Sequence, residues 1–241
     1  MSRYVEMAPP PRLSKHVECF WFLTPAANET RHRVLPDGCT DVVFSLARGQ
    51  VRGFIAGAMT HALITPVGSD ETMFGVRFHP GTSQGLLRAP LPMLTNRVID
   101  LESMWGREGA ALEQRLASAN SGNERMRLIA QTLRPADGET PVEQAARWVV
   151  AHRGNTSAEE LARHAGLSAR QFRRLCIEQT GVGPKMLCRT VRFRHAVNHI
   201  TARKVDWAGF ALDHGYYDQA HFINEFHEFS GLTPMEYAGL F

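Results

Sequence analysis

From Ser157 the chain reads SAEELARHAGLSARQFRRLCIEQTG (157–181), and from Asp206 it reads DWAGFALDHGYYDQAHFINEFHEFSG (206–231). Each stretch reads as a short amphipathic helix, a glycine turn, a polar residue able to cap, and a second helix that ends in glycine. In the first, Leu161, Ala162 and Ala165 form the apolar face, Gly166 turns the chain and Ser168 caps the next helix. Phe210, Ala211, Gly215 and Asp218 fill the same roles in the second. Two helices joined at a steep angle by a tight turn make a helix-turn-helix, whose second helix can lie in the major groove of DNA. One copy is common in helical domains; two in tandem, joined by a helical stretch, are far more specific.

In the second helix of the first copy, Phe172, Leu175 and Cys176 sit at core spacing and leave Ala169, Arg170, Arg173, Arg174 and Ile177 opposite. An arginine can place two donors on guanine O6 and N7, so Arg170, Arg173 and Arg174 are the base-facing candidates. The blander reading is that they meet only phosphate or solvent. Ser168, Lys185, Arg189 and Arg192 are candidates for phosphate contact, which positions a protein without reading sequence. The second copy differs. No Lys or Arg follows Lys204, whereas Asp206, Asp213, Asp218, Glu225, Glu228 and Glu236 are acidic. Its base-facing candidates are Gln219, His221 and Asn224, and Gln and Asn suit adenine. A lopsided reader is expected, with copy one supplying most of the affinity; copy two as a brace for the fold is the alternative.

The segments GVGPKMLCRTVRF (181–193), DQAHFINEF (218–226) and GLTPMEYAG (231–239) resemble the DNA-binding domain of the AraC/XylS family of bacterial transcription regulators over roughly residues 140–239. That resemblance implies a double helix-turn-helix domain and puts Arg170, Arg173 and Arg174 on the groove-facing side. The chain departs from the family at Asn224 and near His227, where relatives carry basic residues. LPDGCTDVVF (35–44) and GVRFHPG (75–81) resemble the β-rich N-terminal module that often precedes this domain, covering residues 5–130 in outline. There the chain has His79 where the family often has arginine.

The remaining sequence is consistent with that division. Its 241 residues allow two modest domains, and the net charge of +3 permits a nucleic-acid partner without requiring one. Cys19, Cys39, Cys176 and Cys188 have no paired spacing, which predicts reduced thiols, and no stretch is apolar enough to span a bilayer. A cytoplasmic, non-membrane protein is expected. Residues 1–16, with Pro9, Pro10 and Pro11, read as an extended arm. Short apolar runs at 17–23, 32–46, 51–59, 61–67 and 71–81 predict an antiparallel sandwich or cupin-like barrel. Helical spacing begins near residue 82, with Leu112 and Leu116 one turn apart and Met126, Ile129 and Leu133 on one face. These helices cover the β-module or offer a dimer interface. The fold class is therefore α+β: a β-rich domain over 1–133, a linker over 134–141, and an all-α domain over 142–241 with a linker helix from Pro184 to Ala202.

Trp21, Asp37, Arg77 and His79 are candidates for an effector site, with Phe78 as a further wall. An Arg-lined mouth would suit an acidic effector; otherwise Arg77 ties strands together through Asp37 or Asp41. His32, Asp37, Cys39, His61 and His79 match no metal signature, so no metal or other cofactor is expected, and no motif makes Cys39 a methyl acceptor. The expected function is a DNA-binding transcription regulator, not an enzyme. Double-stranded DNA is its partner, with RNA polymerase, a small-molecule effector and a second copy as further candidates. A metal-dependent cupin-type or DNA-modifying enzyme tethered to DNA is the alternative.

Overall fold

The computed structural model describes residues 3–68, 70–87, 89–135, 138–200 and 206–240. Its N-terminal half is built on a six-stranded sheet of β1 (Arg3–Met7), β2 (Val17–Thr24), β4 (Thr40–Ala47), β5 (Gln50–Ala56), β7 (Thr72–Phe78) and β8 (Val98–Asp100). The strand order is β1-β2-β7-β4-β5-β8, and every pairing is antiparallel. A separate two-stranded ribbon joins β3 (Arg31–Val34) to β6 (Leu63–Pro66).

Strand alternation sorts side chains to opposite faces. Phe20, Val42, Phe44, Ile55, Phe74, Val76 and Phe78 form one buried face. Short helix α1 (Gln84–Leu87) and helices α2 (Leu101–Trp105), α3 (Arg107–Ala117) and α4 (Gly122–Thr132) supply Leu86, Leu87, Leu101, Leu112, Leu116 and Ile129 to the same core. These helices are thus a cover for the sheet. The expected β-rich domain with a trailing helical segment is therefore present, with the helices covering this face of the sheet. Cys19, Trp21 and Leu23 lie on the other face with Val43 and Met73. Gly75 makes room there, because a Cβ would fall 2.5 Å from the Val42 carbonyl oxygen and 2.9 Å from the Trp21 ring.

The expected N-terminal arm is in fact the edge strand β1 followed by a 3-10 turn at Pro11–Leu13. Five residues of register with β2 and a fully buried Leu13 hold it down.

The helical half consists of α5 (Pro141–Ala151), α6 (Ala158–His164), α7 (Ala169–Thr180), α8 (Pro184–Val197), α9 (Trp207–Asp213), α10 (Gln219–Ser230) and α11 (Pro234–Ala238). Helix α8 ends before the expected Ala202, at a last turn closed by the Asn198 N–H on the Arg194 carbonyl; Ala202 itself lies outside the described residues. One core packs α5, α6, α7 and the first half of α8 around Phe172, Leu161, Val149 and Leu187. Another packs the second half of α8 with α9 and α10 around Phe193, Phe222, Phe226 and Phe229. Helix α8 therefore contributes to both cores.

Candidate nucleic-acid interface and effector pocket

The two copies share their local chemistry as well as their order. Gly166 and Gly215 turn with φ of +66° and +78°, a region that side chains rarely adopt. Ser168 caps α7 by accepting from the Gln171 N–H at 3.3 Å, and the Gln171 amide oxygen accepts from the Ser168 N–H at 3.2 Å. Asp218 caps α10 by accepting from the His221 N–H at 2.7 Å. Each reading helix then ends in a left-handed glycine, Gly181 or Gly231. A buried hydroxyl precedes each glycine. Thr180 Oγ1 reaches the Cys176 and Val182 carbonyls at 2.8 and 2.9 Å and accepts from the Val182 N–H at 3.2 Å. Ser230 Oγ does the same with Phe226, Leu232 and the Leu232 N–H, at 2.7, 2.9 and 3.0 Å.

In α7, Phe172 and Cys176 are buried while Arg170, Arg173 and Arg174 are exposed. All three line an open groove with Ala158, Ile177, Lys185 and Arg189, where Glu159 is the acid. Arg174 also pairs with Glu178 at 3.5 Å and borders a second hollow lined by Gln84, Ala89, Pro90 and Pro92 of the N-terminal half. Arg170 and Arg173 form no ion pair among the described residues.

Two of the expected phosphate contacts, Arg189 and Arg192, already have carboxylate partners. The Nε of Arg189 donates to Glu225 at 2.7 Å, and Arg192 Nη2 donates to both oxygens of that carboxylate at 2.9 and 3.0 Å. Glu225 is 3% exposed, and Arg189 also pairs with Glu228. The two guanidinium groups lie over the rings of Phe229 and Tyr216 at 5.0 and 4.8 Å. A carboxylate this deep requires its counter-ions, so these arginines tie α8 to α10. Lys185 remains exposed at the start of α8.

The acidity of copy two is likewise reinterpreted. Asp206 and Asp218 cap helices, Glu236 closes a capping box with Thr233, and Glu225 and Glu228 hold Arg189. Five of its six acids thus have structural duties. Gln219, His221 and Asn224 are exposed over the first two turns of α10.

The N-terminal half touches the end of both reading helices. Thr95 Oγ1 donates to the Gly181 carbonyl at 2.7 Å, and Arg33 donates to the Ser230 carbonyl. A third bridge joins β2 to α8, where Arg194 donates to the two Glu18 oxygens at 3.0 and 2.5 Å. Burial raises the Glu18 carboxyl, but the Arg194 guanidinium outweighs it and holds the group below the usual carboxylate range. None of these partners has a local sequence signal, since the Glu18–Arg194 contact spans 176 residues.

Between the sheet and the β3–β6 ribbon lies a mostly apolar cavity of about 310 Å³, within the usual range for small-molecule sites. Trp21, Asp37 and Arg77 line it. His79 and Phe78 are not among its lining residues: Phe78 points into the helix-covered core by strand alternation, and His79 lies past the end of β7. Arg77 is 3.1 Å from Asp37, 3.4 Å from Asp41 and 3.6 Å from Glu6. It is therefore the strand tie that the sequence allowed, already matched by carboxylates. Asp41 also accepts from the Trp21 indole at 2.8 Å. Burial, opposed by Arg77, pushes the Asp41 carboxyl up to about 6.

The cavity wall adjoins the helical half. Leu35 lines the cavity and packs against the core around Phe193. The turn Asp37-Gly38-Cys39 is held by the Cys39 N–H on Asp37 at 2.9 Å, and Gly38 at φ +78° lies against Leu187 and Val191 of α8. All four cysteines are free and buried, and burial raises each thiol above its ordinary value. Among the described residues, the one His/Cys/Asp/Glu trio within ligating distance is not the N-terminal set weighed from sequence but His195, His199 and His214. No helix among the described residues is long and apolar enough to cross a membrane.

Comparison with known proteins finds two separate family matches along the chain. Residues 161–239 match the family described as "Helix-turn-helix domain", and residues 5–100 match a "Domain of unknown function". No curated protein matches. Similar solved structures include the C-terminal domain of AraT, a response regulator from Geobacillus stearothermophilus, at 18% identity and TM-score 0.40. That match covers 44% of this chain and 89% of that one. ToxT from Vibrio cholerae aligns at 11% identity and TM-score 0.45, covering 100% and 97% of the two chains. An unsaturated fatty acid-bound ToxT from Vibrio cholerae aligns at 10% identity and TM-score 0.45, covering 99% and 94%.

Proposed function

We infer that this chain is a sequence-specific DNA-binding transcription regulator of the AraC type, reading DNA through the helix-turn-helix domain matched over residues 161–239 and sensing a small molecule with its N-terminal module. The observation that carries the DNA reading is the pair of capped helices α7 and α10, each with polar side chains exposed along its leading turns. Residues in those turns of a recognition helix reach base edges. Arg170 and Arg173, exposed and without ion pairs among the described residues, are the main base readers of copy one. Arg174, shared with Glu178, is secondary. Lys185 and the capped N-terminus at Ser168 meet phosphate. Gln219, His221 and Asn224 make the weaker contact of copy two. Competition of a bound duplex against random DNA tests this. In the Arg170→Ala/Arg173→Ala variant the preference should collapse while weak general binding persists; an unchanged preference contradicts the assignment.

The effector reading rests on the cavity and its shared wall with α8. Carboxylates already surround Arg77, and Asp37, Asp41 and Glu71 outnumber it along the lining. The pocket therefore suits a neutral or cationic molecule with an apolar body, not the acidic effector that an arginine alone suggests. Filling it presses on Leu35 and on the Asp37–Cys39 turn, and through them on α8. A thermal-shift series comparing apolar amines, alcohols and carboxylates of equal size tests the choice. Stronger stabilisation by the carboxylates would overturn it.

A further inference from the structure

Three histidines cluster where α8 meets α9. His195 stands near the end of α8, His199 follows one turn on, and His214 closes the last turn of α9 from the facing side. The ring centroids are 4.5 Å apart for His195 and His199, 5.1 Å for His195 and His214, and 5.3 Å for His199 and His214. One ligating nitrogen from each lies within 4.8 Å of the other two.

Two of these rings are already oriented for ligation. The Nδ1 of His199 is 2.7 Å from the His195 carbonyl oxygen, and that of His214 is 2.8 Å from the Phe210 carbonyl oxygen. A carbonyl accepts only, so Nδ1 carries the proton in both and the lone pair is on Nε2. Metal-binding histidines are oriented by such bonds from their other nitrogen. Phe210 also stacks on His214 at 4.0 Å and restrains that ring.

We propose that His195, His199 and His214 bind a divalent transition-metal ion, zinc foremost, and so clamp the linker helix to the first helix of the second helix-turn-helix. Three imidazoles without a carboxylate suit zinc, copper or nickel and not magnesium or calcium. A tetrahedral zinc with Zn–N bonds of 2.0–2.1 Å places its nitrogens about 3.3 Å apart, so the widest pair of the trio closes by up to about 1.5 Å. Water takes the fourth position. The sequence carried part of the signal: His195 and His199 are one turn apart, and His214 follows fifteen residues later. The proposal does not depend on the DNA-binding reading, because metal uptake is measured without DNA.

The test is titration of the purified full-length chain with zinc against a competing chelator, repeated with cobalt to read coordination by its visible absorption. Wild type should take up one tightly held ion per chain, give a tetrahedral cobalt spectrum and melt at a higher temperature with zinc. His199→Gln changes an exposed ring and preserves the cores; it should weaken uptake at least tenfold and abolish the melting shift. His61→Gln, an exposed histidine in the other half, should leave uptake unchanged. No tight site in wild type, or uptake undiminished in both His199→Gln and His195→Gln, overturns the proposal.

Discussion

Charged residues that look alike in the sequence have different roles here, and partners decide which. Arg170, Arg173, Arg189 and Arg192 all follow helical spacing near the first copy, yet only the first two are free of ion pairs among the described residues. Lys185→Ala should weaken binding to all DNA alike and lower the salt dependence by about one ion, because it removes one phosphate contact. A loss confined to one sequence would contradict that role. Glu225→Gln should cost about 3–5 kcal/mol in urea unfolding, since it leaves Arg192 without its carboxylate and Arg189 with Glu228 alone. A loss below about 1 kcal/mol would show that water reaches the cluster. The exposed set of α7 followed from helical period alone. The fate of Arg189 and Arg192 did not, because their counter-ion Glu225 lies more than thirty residues away in a helix that reads as merely acidic.

At the scale of the element, the two helix-turn-helix units are one design used twice. Gly166, Ser168, Gly181 and Pro184 recur as Gly215, Asp218, Gly231 and Pro234, and the buried hydroxyl of Thr180 recurs as Ser230. Thr180→Val and Ser230→Ala should each cost about 1–3 kcal/mol, because each strands polar backbone groups that water does not reach. Unfolding by urea measures it; a neutral Thr180→Val would show that the helix ends close without the hydroxyl. This symmetry was legible because turns and caps depend on local residue chemistry. The sheet was less so. Strands β2, β4, β5 and β7 showed as apolar runs, but β1 was hidden in a Pro-rich segment and β8 in three residues before a helix. Pairing partners, not local pattern, make those two strands.

For the whole molecule, the notable feature is direct contact between the N-terminal half and the ends of both α7 and α10. Thr95 and Arg33 hold their ends, and Glu18 pairs with Arg194 on the helix between them. The depressed Glu18 carboxyl adds stability that is fully present above its ordinary range and is lost as pH falls through its lower folded value. Glu18→Gln should therefore reduce stability near neutrality and flatten the acid limb of a stability-against-pH curve; an unaltered acid limb would remove the pair from the account. None of these long-range contacts could be read from sequence, which marks surfaces able to bury but not which surface meets which. The central claim, two unequal DNA readers on one chain, is tested most directly by selecting random duplex DNA on the full-length protein near physiological salt and sequencing what is retained. One strong block and one weaker block about a helical turn apart, in an asymmetric site, is the expected result. Retained DNA with no preferred sequence, bound no tighter than the starting pool, would contradict it.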